Sequence, residues 1–421
     1  MRIERPSIIL ALLTALNFLN YVDRYLVAAV SPKFQESLSL DDTMTGFVAS
    51  AFMIGYFATS PIFGQLADRR SNSGSTLRTK LIFVGVALWS AATVASGLAQ
   101  GAASLVLARI AVGVGEASYA TIAPTIIDDL APPEQKNKWL AVFYMAIPVG
   151  SALGYILGGF LEHHYGWRSA FFVAGGPGIV LAFAVLLVRE PQRSATAKAA
   201  PSAAASLRIL RASPLYLANV AGQCMYTFAL GGFAVWAPQF LYRTHHMELQ
   251  RADFGFGIVA VVAGIIGTVL GGTLADRGLP KNAPEHMRIR RYLKFCAIAT
   301  VIALPAAVVT IFAKTPTVFF TAIFLCETAL FACTSPINVV TLGSVPSSLR
   351  ATAMAVSIFA IHALGDFPSP PLVGRLAKIG GLRNALAILP VAIGLCAVAW
   401  FIGAKLPIAR TGREASTEEG G

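Results

Sequence analysis

Gly64-Gln65-Leu66-Ala67-Asp68-Arg69 closes one apolar run of this chain, and Gly272-Thr273-Leu274-Ala275-Asp276-Arg277 closes another, 208 residues later. The chain has 421 residues, so the offset is close to half its length. A six-residue match alone is weak. A match at equivalent ends of equivalent apolar runs points to an internal repeat. In each copy the glycine permits close helix approach. The aspartate and arginine stand at the helix end, where they can pair across helices and with a helix terminus. We therefore expect Gly64, Asp68, Arg69, Gly272, Asp276 and Arg277 to form a conformational latch that holds one state and breaks in another. The alternative is a plain topology anchor.

Outward from these elements, apolar runs fall at 8–30, 44–67, 79–99, 103–130, 139–161 and 169–188, then at 215–241, 253–275, 293–313, 317–344, 350–374 and 383–405. Apolar types make up 56% of the chain and charged types 13%, with a mean hydropathy of +0.66. Soluble domains carry about 25% charged residues. A membrane span needs roughly 20 mostly apolar residues. Backbone groups in lipid must be satisfied internally, so helices are expected. The alternation of an outer-membrane barrel is absent. The reading is an all-α membrane protein with twelve transmembrane helices in two pseudo-symmetric six-helix bundles. The N-terminal bundle covers 1–188, a polar cytoplasmic linker 189–213, and the C-terminal bundle with a short tail 214–421. The first run is expected to be a retained helix rather than a signal peptide, and the polar tail from Arg410 to be disordered.

Twelve spans place both termini on one side. Loops and tails on that side hold 23 of the 33 basic residues, the opposite loops and helix ends hold 8, and Arg24 and Arg109 lie within spans. That bias makes the terminal side cytoplasmic and the protein a multi-pass resident of a cell (inner) membrane. It also accounts for the net charge of +12, so no nucleic-acid partner is needed. The five cysteines all fall in apolar runs without metal-ligand spacing and read as small core residues.

Parallel six-helix repeats about an axis along the membrane normal, with a site at the midplane, are the architecture of major facilitator proteins, and GxLADR resembles the signature of that superfamily. Four longer stretches narrow the resemblance: LNYVDRYLVAAV (Leu19 to Val30), LARIAVGVGEASYATIAPTIIDDL (Leu107 to Leu130), FYMAIPVGSALGYILGG (Phe143 to Gly159) and HALGDFPSPPLVG (His362 to Gly374). Together they are similar to the Spinster family, across both halves. The NYVDR segment also resembles organic anion:cation symporters. After GQLADRR the sequence departs from the superfamily pattern, and the basic end shifts to Arg78 and Lys80. The resemblance implies movement of amphipathic lipids such as sphingosine-1-phosphate or lysophospholipids, with proton coupling. The short loops and bare termini look bacterial, and bacterial members need not share that substrate.

Charges within spans are costly and mark function by default. Arg24 lies about 10 Å from the outer end of the first span at about 1.5 Å per residue. Asp23 and Arg24 are adjacent, so they point about 100° apart and each needs its own partner. Asn17, Asn20 and Arg24 form a polar stripe expected to face a central cavity. In the fourth span Arg109, Gly113 and Glu116 share one face. Arg109 matches the basic position of a superfamily motif linked to proton coupling. Burial favours a neutral carboxyl and a nearby arginine favours a charged one, so a carboxylate alternating between those environments binds and releases a proton. Glu116 and Asp23 are the candidate proton sites, with Arg24 and Arg109 as switching partners. Direct binding of an anionic headgroup by an arginine fork remains the competing role.

Glu327, 211 residues after Glu116, is its candidate counterpart. His362 and Asp366 share a face and offer a proton relay or a structural hydrogen bond. Tyr119, Tyr144, Tyr226 and Trp236 are candidate cavity walls. No metal site or cofactor is expected, because His362 and Asp366 lack a third ligand. No HExxH, nucleophile–base pair or Walker A motif occurs, so neither an enzyme nor an ATP-driven pump is expected. The reading is a proton-coupled secondary transporter of an amphipathic, anionic, lipid-like substrate, working by alternating access as a monomer. The alternative is a transporter of a small organic anion.

Overall fold

The computed structural model describes residues 3–69, 76–132, 135–191, 203–280, 283–346 and 349–407. The polar tail from Arg410 and the middle of the linker, 192–202, lie outside the described residues, as do the side chains of Asp68 and Arg69. In chain order the helices are α1 Pro6–Ala29, α2 Ser31–Ser37, α3 Asp42–Ser50, α4 Phe52–Arg69, α5 Leu77–Gly97, α6 Ala102–Leu130, α7 Lys136–Tyr165, α8 Trp167–Leu186, α9 Ala203–Arg211, α10 Pro214–His245, α11 Leu249–Asp276, α12 Glu285–Phe312, α13 Pro316–Phe331, α14 Thr334–Gly343, α15 Arg350–Ile361, α16 Ser369–Leu386 and α17 Ile388–Gly403. A π-helical turn, His362–Asp366, follows α15. Among the described residues there is no β-strand, only an isolated bridge between Ile3 and Val188.

Among the described residues ten segments are long and apolar enough to cross a membrane, with α3–α4 and α13–α14 each counting as one. The expected runs 350–374 and 383–405 fall on Thr352–Leu386 and Ile388–Gly403, which pass only as a pair bent by 62°. The count is therefore ten, or eleven with the bent pair as one span. The π-turn, which inserts a residue into the helical ladder, and Pro368, Pro370 and Pro371, which lack backbone donors, lie inside the first arm, before the bend. The bend has its own local cause. Gly381 adopts φ +77, open to glycine without steric cost. Part of the expected polar linker is helix α9, and its Leu210 is buried with Tyr216 and Val220.

The chain divides into two compact units. Unit 1 comprises 1–196, 234–261 and 370–382; unit 2 comprises 197–233, 262–369 and 383–421. In unit 1, α1 lies along α7 because Gly150, Gly154 and Gly158 remove side chains from the facing surface. Cβ atoms added there would meet the Phe18 carbonyl, Tyr21, Tyr25 and Ala29 at 2.7–2.9 Å. A second layer packs Trp89 of α5 edge-on to Tyr119 of α6, with ring centroids 5.4 Å apart. Ends of helices are tied off locally, as where Asp41 caps α3 by accepting from the Met44 N–H at 2.7 Å.

The glycines of the motif pack differently from the expectation. Gly64 stands in ordinary contact, 3.6 Å for an added Cβ against Thr121, and Gly272 faces nothing within 4 Å. In unit 2 the close approach belongs to the neighbouring Gly271, whose added Cβ would overlap the Ala332 backbone. The repeat is real in sequence, yet helix rotation hands the packing role to the adjacent residue. Asp276 accepts a hydrogen bond from the Tyr292 hydroxyl, and the Arg277 carbonyl accepts from Arg291 at 3.0 Å. The shifted basic residue Arg78 forms two ion pairs in unit 1. It is buried and holds Asp129 at 2.6 Å and Glu190 at 2.8 Å, while also donating to the Pro191 carbonyl.

Candidate functional site

Helices α1 and α6 bring four charged side chains together in unit 1. Arg24 Nη2 lies 2.8 Å from Glu116 Oε2, and its Nε donates to the same oxygen at 2.9 Å. Arg109 Nη1 lies 3.3 Å from Asp23 Oδ1. The pairs are crossed: neighbours on α1 are held by residues two turns apart on α6. This follows from helical geometry, since adjacent side chains diverge by about 100° while positions i and i+7 share a face. Glu116 and Arg109 are fully buried and Asp23 nearly so; Arg24 is 16% exposed.

Four further residues complete the cluster. Thr93 on α5 donates to Asp23 Oδ2 at 2.7 Å. The Phe52 ring lies under both guanidinium groups, 4.9 Å from Arg24 and 5.7 Å from Arg109. Tyr21 and Tyr56 flank Arg24 at 5.1 and 5.6 Å. Such faces attract cations without neutralising them. Gly113, between Arg109 and Glu116 on the shared face, is what admits Phe52, because a side chain there would overlap the Phe52 backbone. The sequence reading missed Thr93, Phe52, Tyr21 and Tyr56. Threonines and aromatics are ordinary in membrane helices, so none of them carried a signal.

The cluster is not saturated. Arg109 Nε and Nη2, Glu116 Oε1 and Asn20 Nδ2 are buried without a hydrogen-bond partner. Buried polar atoms are nearly always paired, so unpartnered atoms on both an arginine and a carboxylate of one cluster mark it as unsaturated. Asn17, from the same stripe, donates to the Phe143 carbonyl of α7 at 2.9 Å. It therefore faces a packed helix rather than an open cavity. Tyr119 is fully buried, its hydroxyl donating to the Leu13 carbonyl. Trp236 is fully buried too, its indole N–H donating to the Pro370 carbonyl at 3.0 Å. Both fill helix seams rather than walls. Tyr144 is 47% exposed, and Tyr226 is buried with its hydroxyl 3.3 Å from Thr334 Oγ1.

In unit 2, His362 Nδ1 lies 2.9 Å from Asp366 Oδ2 across the π-turn. Glu327 on α13 is buried with Oε2 unpartnered. Among the described residues no group of three or more His, Cys, Asp or Glu side chains is arranged to hold a metal.

Residues 13–370 match the model of the Major Facilitator Superfamily. The chain is 33% identical to human "Protein spinster homolog 1" over 89% of its own length and 73% of that protein. The chain belongs to the Spinster family of the major facilitator superfamily. It is a multi-pass membrane transporter and not an enzyme. It is also 32% identical to "Probable sphingolipid transporter spinster homolog 3" of Arabidopsis thaliana, covering 94% of this chain and 84% of the relative. Its fold superposes on that of a bacterial Spinster homolog in an inward-facing, unoccupied conformation with a TM-score of 0.80, at 23% identity over 95% and 97% of the two chains. A D-xylose-proton symporter has the same fold at a TM-score of 0.75, 16% identity and 96% and 98% coverage.

A second polar set in this Spinster transporter joins the α2–α3 corner to the segments 234–261 and 370–382 within unit 1. Arg243 Nη2 lies 2.8 Å from Asp42 Oδ1, Lys378 Nζ lies 2.7 Å from Asp41 Oδ2, and Lys33 Nζ donates to the Tyr242 hydroxyl at 2.9 Å. The hydrogen bond from Lys378 holds the Asp41 carboxyl below the usual carboxylate range. The hydrogen bond to Tyr242 raises the Lys33 ammonium above its ordinary value. A lowered carboxyl adds stability above about pH 4, lost as pH falls through the lowered value. A raised ammonium adds stability below about pH 10, lost as pH rises through the raised value. This set therefore stays engaged throughout the physiological range. Melting temperatures of Asp41→Asn and the parent, measured against pH, should differ by a constant amount between about pH 5 and 9 and converge only in stronger acid. A gap that closes near neutrality contradicts this.

Proposed function

We propose that this chain is a proton-coupled secondary transporter that moves an amphipathic, anionic, lipid-like substrate by alternating access. The carrying observation is the crossed pair with its unsaturated atoms. Arg24 is the one member with partial exposure, so it is the member able to leave. An anionic headgroup that takes the Arg24 fork strips Glu116 of its countercharge. A buried carboxylate without a partner then takes a proton. Headgroup and proton thus load on neighbouring residues, and Asp23–Arg109 keeps α1 registered on α6 while they exchange. His362–Asp366 and Glu327 are the corresponding candidates in the second half, with Glu327 placed as the counterpart of Glu116.

The rest of the reading follows from this frame. In this reading each arm of the bent pair is a span of its own, twelve in all, in pseudo-symmetric bundles at 1–188 and 214–421 around the linker 189–213. The basic bias puts both termini in the cytoplasm of a cell with an inner membrane. The polar set at Asp41, Asp42, Arg243 and Lys378 then lies at the outer face and serves as a gate, with the Asp68–Arg69 and Asp276–Arg277 ends as the cytoplasmic latch. The lipid-like cargo is supported by the similarity to the probable sphingolipid transporter of Arabidopsis thaliana and by the aromatic bed around Arg24, which suits an anion carried on an apolar chain.

Reconstituted protein in lipid vesicles should transport a fluorescent lysophospholipid or sphingoid phosphate when a proton gradient is imposed, and a protonophore should stop it. Thermal stabilisation by those lipids, and not by sugar acids, should accompany the flux. Stabilisation by small organic acids alone, with no lipid flux, would replace the lipid by the smaller anion. Flux indifferent to the gradient would remove proton coupling.

A further inference from the structure

Another carboxylate of unit 1 has no countercharge. Asp253 stands one turn inside α11, its side chain is fully buried, and no group among the described residues hydrogen-bonds either oxygen. It faces α7. Phe256 meets the Tyr155 ring at 5.2 Å, and Gly257 lies against Ala152 and Tyr155. Opposite Asp253 the α7 residue is Gly159, where a Cβ would come within 2.8 Å of Oδ2. The missing side chain is the space that the carboxyl occupies.

The charged surroundings are anionic. On α7, one turn beyond Gly159, Glu162 is the ionisable group that bears on Asp253. His163 is engaged elsewhere, 3.2 Å from Glu248, and Arg251 points to the same Glu248 at 3.3 Å. Lys33 and Glu36 act on Glu162 from the α2 side. Among the described residues no cation reaches Asp253 in this seam.

We propose that Asp253 is a second proton-binding site of this transporter, protonated while the α7–α11 seam is packed and ionised when the seam parts to water. The argument is electrostatic. An ionised carboxylate sealed in an apolar seam beside another carboxylate has neither solvent nor partner. A proton removes that charge within the space that Gly159 leaves. Opening the seam supplies water and releases the proton, so packing of α7 on α11 becomes linked to pH. The proposal goes beyond the crossed pair on α1 and α6, and it stands or falls without Glu116.

The test is infrared difference spectroscopy across a pH series, on the full chain in lipid vesicles. The parent should show a protonated-carboxyl component that persists at neutral pH. Asp253→Asn should lose one carboxyl's share of it, and Glu116→Gln should retain that share. Glu162→Gln, which removes the neighbouring anion while leaving Asp253 in place, should move the midpoint of that component to lower pH. It provides the readout if Asp253→Asn does not fold. An unchanged component in Asp253→Asn, or an unmoved midpoint in Glu162→Gln, overturns the proposal. So does a component that responds to sodium at constant pH.

Discussion

Glu116→Gln is expected to reduce proton-driven transport to the level of protein-free vesicles, while substrate exchange without a gradient continues. The amide has the volume of the carboxyl and still accepts a hydrogen bond from Arg24, so the 2.8 Å contact has a neutral successor. Arg24 keeps its aromatic neighbours Tyr21, Phe52 and Tyr56, which support a cation in the absence of a carboxylate. The fold should therefore survive, and the loss should be confined to the group that carries the proton. Two assays on one preparation separate these effects: accumulation driven by a pH gradient, and counterflow with substrate on both sides. Undiminished accumulation sinks the assignment. Loss of both activities with a lowered melting temperature would place Glu116 in the scaffold instead.

Arg109→Ala is expected to destabilise the protein far more than Arg24→Ala. Arg109 and Asp23 are sealed in the core, and removing one partner leaves an uncompensated charge, a cost of about 3–5 kcal/mol. Arg24 is partly exposed, and Glu116 can take up a proton when its partner leaves. The distinguishing experiment is a double-mutant cycle. Asp23→Asn combined with Arg109→Gln removes both charges together and should recover most of the stability lost in either single variant. Single variants within about 1 kcal/mol of the parent would show that the pair is held open to solvent.

The two results together divide one cluster into a fixed pair and a moving pair. That division was only partly legible in the sequence. The adjacency of Asp23 and Arg24 demanded two different partners, because neighbours on a helix diverge. The partners themselves, Arg109 and Glu116, sit 86 and 92 residues away. Their face was readable from the spacing to Gly113; which arginine meets which carboxylate was not, since that depends on how α1 is rotated against α6. The same rotation explains Asn17, read as part of a cavity stripe and found donating into α7. It also explains why Gly271 rather than Gly272 makes the close approach in the second copy of the motif. Tyr119 and Trp236 illustrate a different limit. Amphipathic aromatics suit a cavity wall and a helix seam equally well, and only the carbonyls of Leu13 and Pro370 decide for the seam.

The sequence by itself determined the all-helical membrane character, because a hydropathy carried over whole runs leaves no soluble alternative. It determined the internal repeat, through a six-residue motif recurring at matching helix ends, and the kinship to the Spinster family. It also singled out the charged residues of α1 and α6, since charge inside a span is too costly to be incidental. Only the tertiary structure decided the crossed pairing, the placement of Phe52 beneath both arginines, the role of Arg78 as the grip on Asp129 and Glu190, and the isolation of Asp253 opposite Gly159. Each of these depends on distances between helices far apart in the chain. Such distances are set by how small and large side chains interlock across a seam, and no local pattern of residues encodes them.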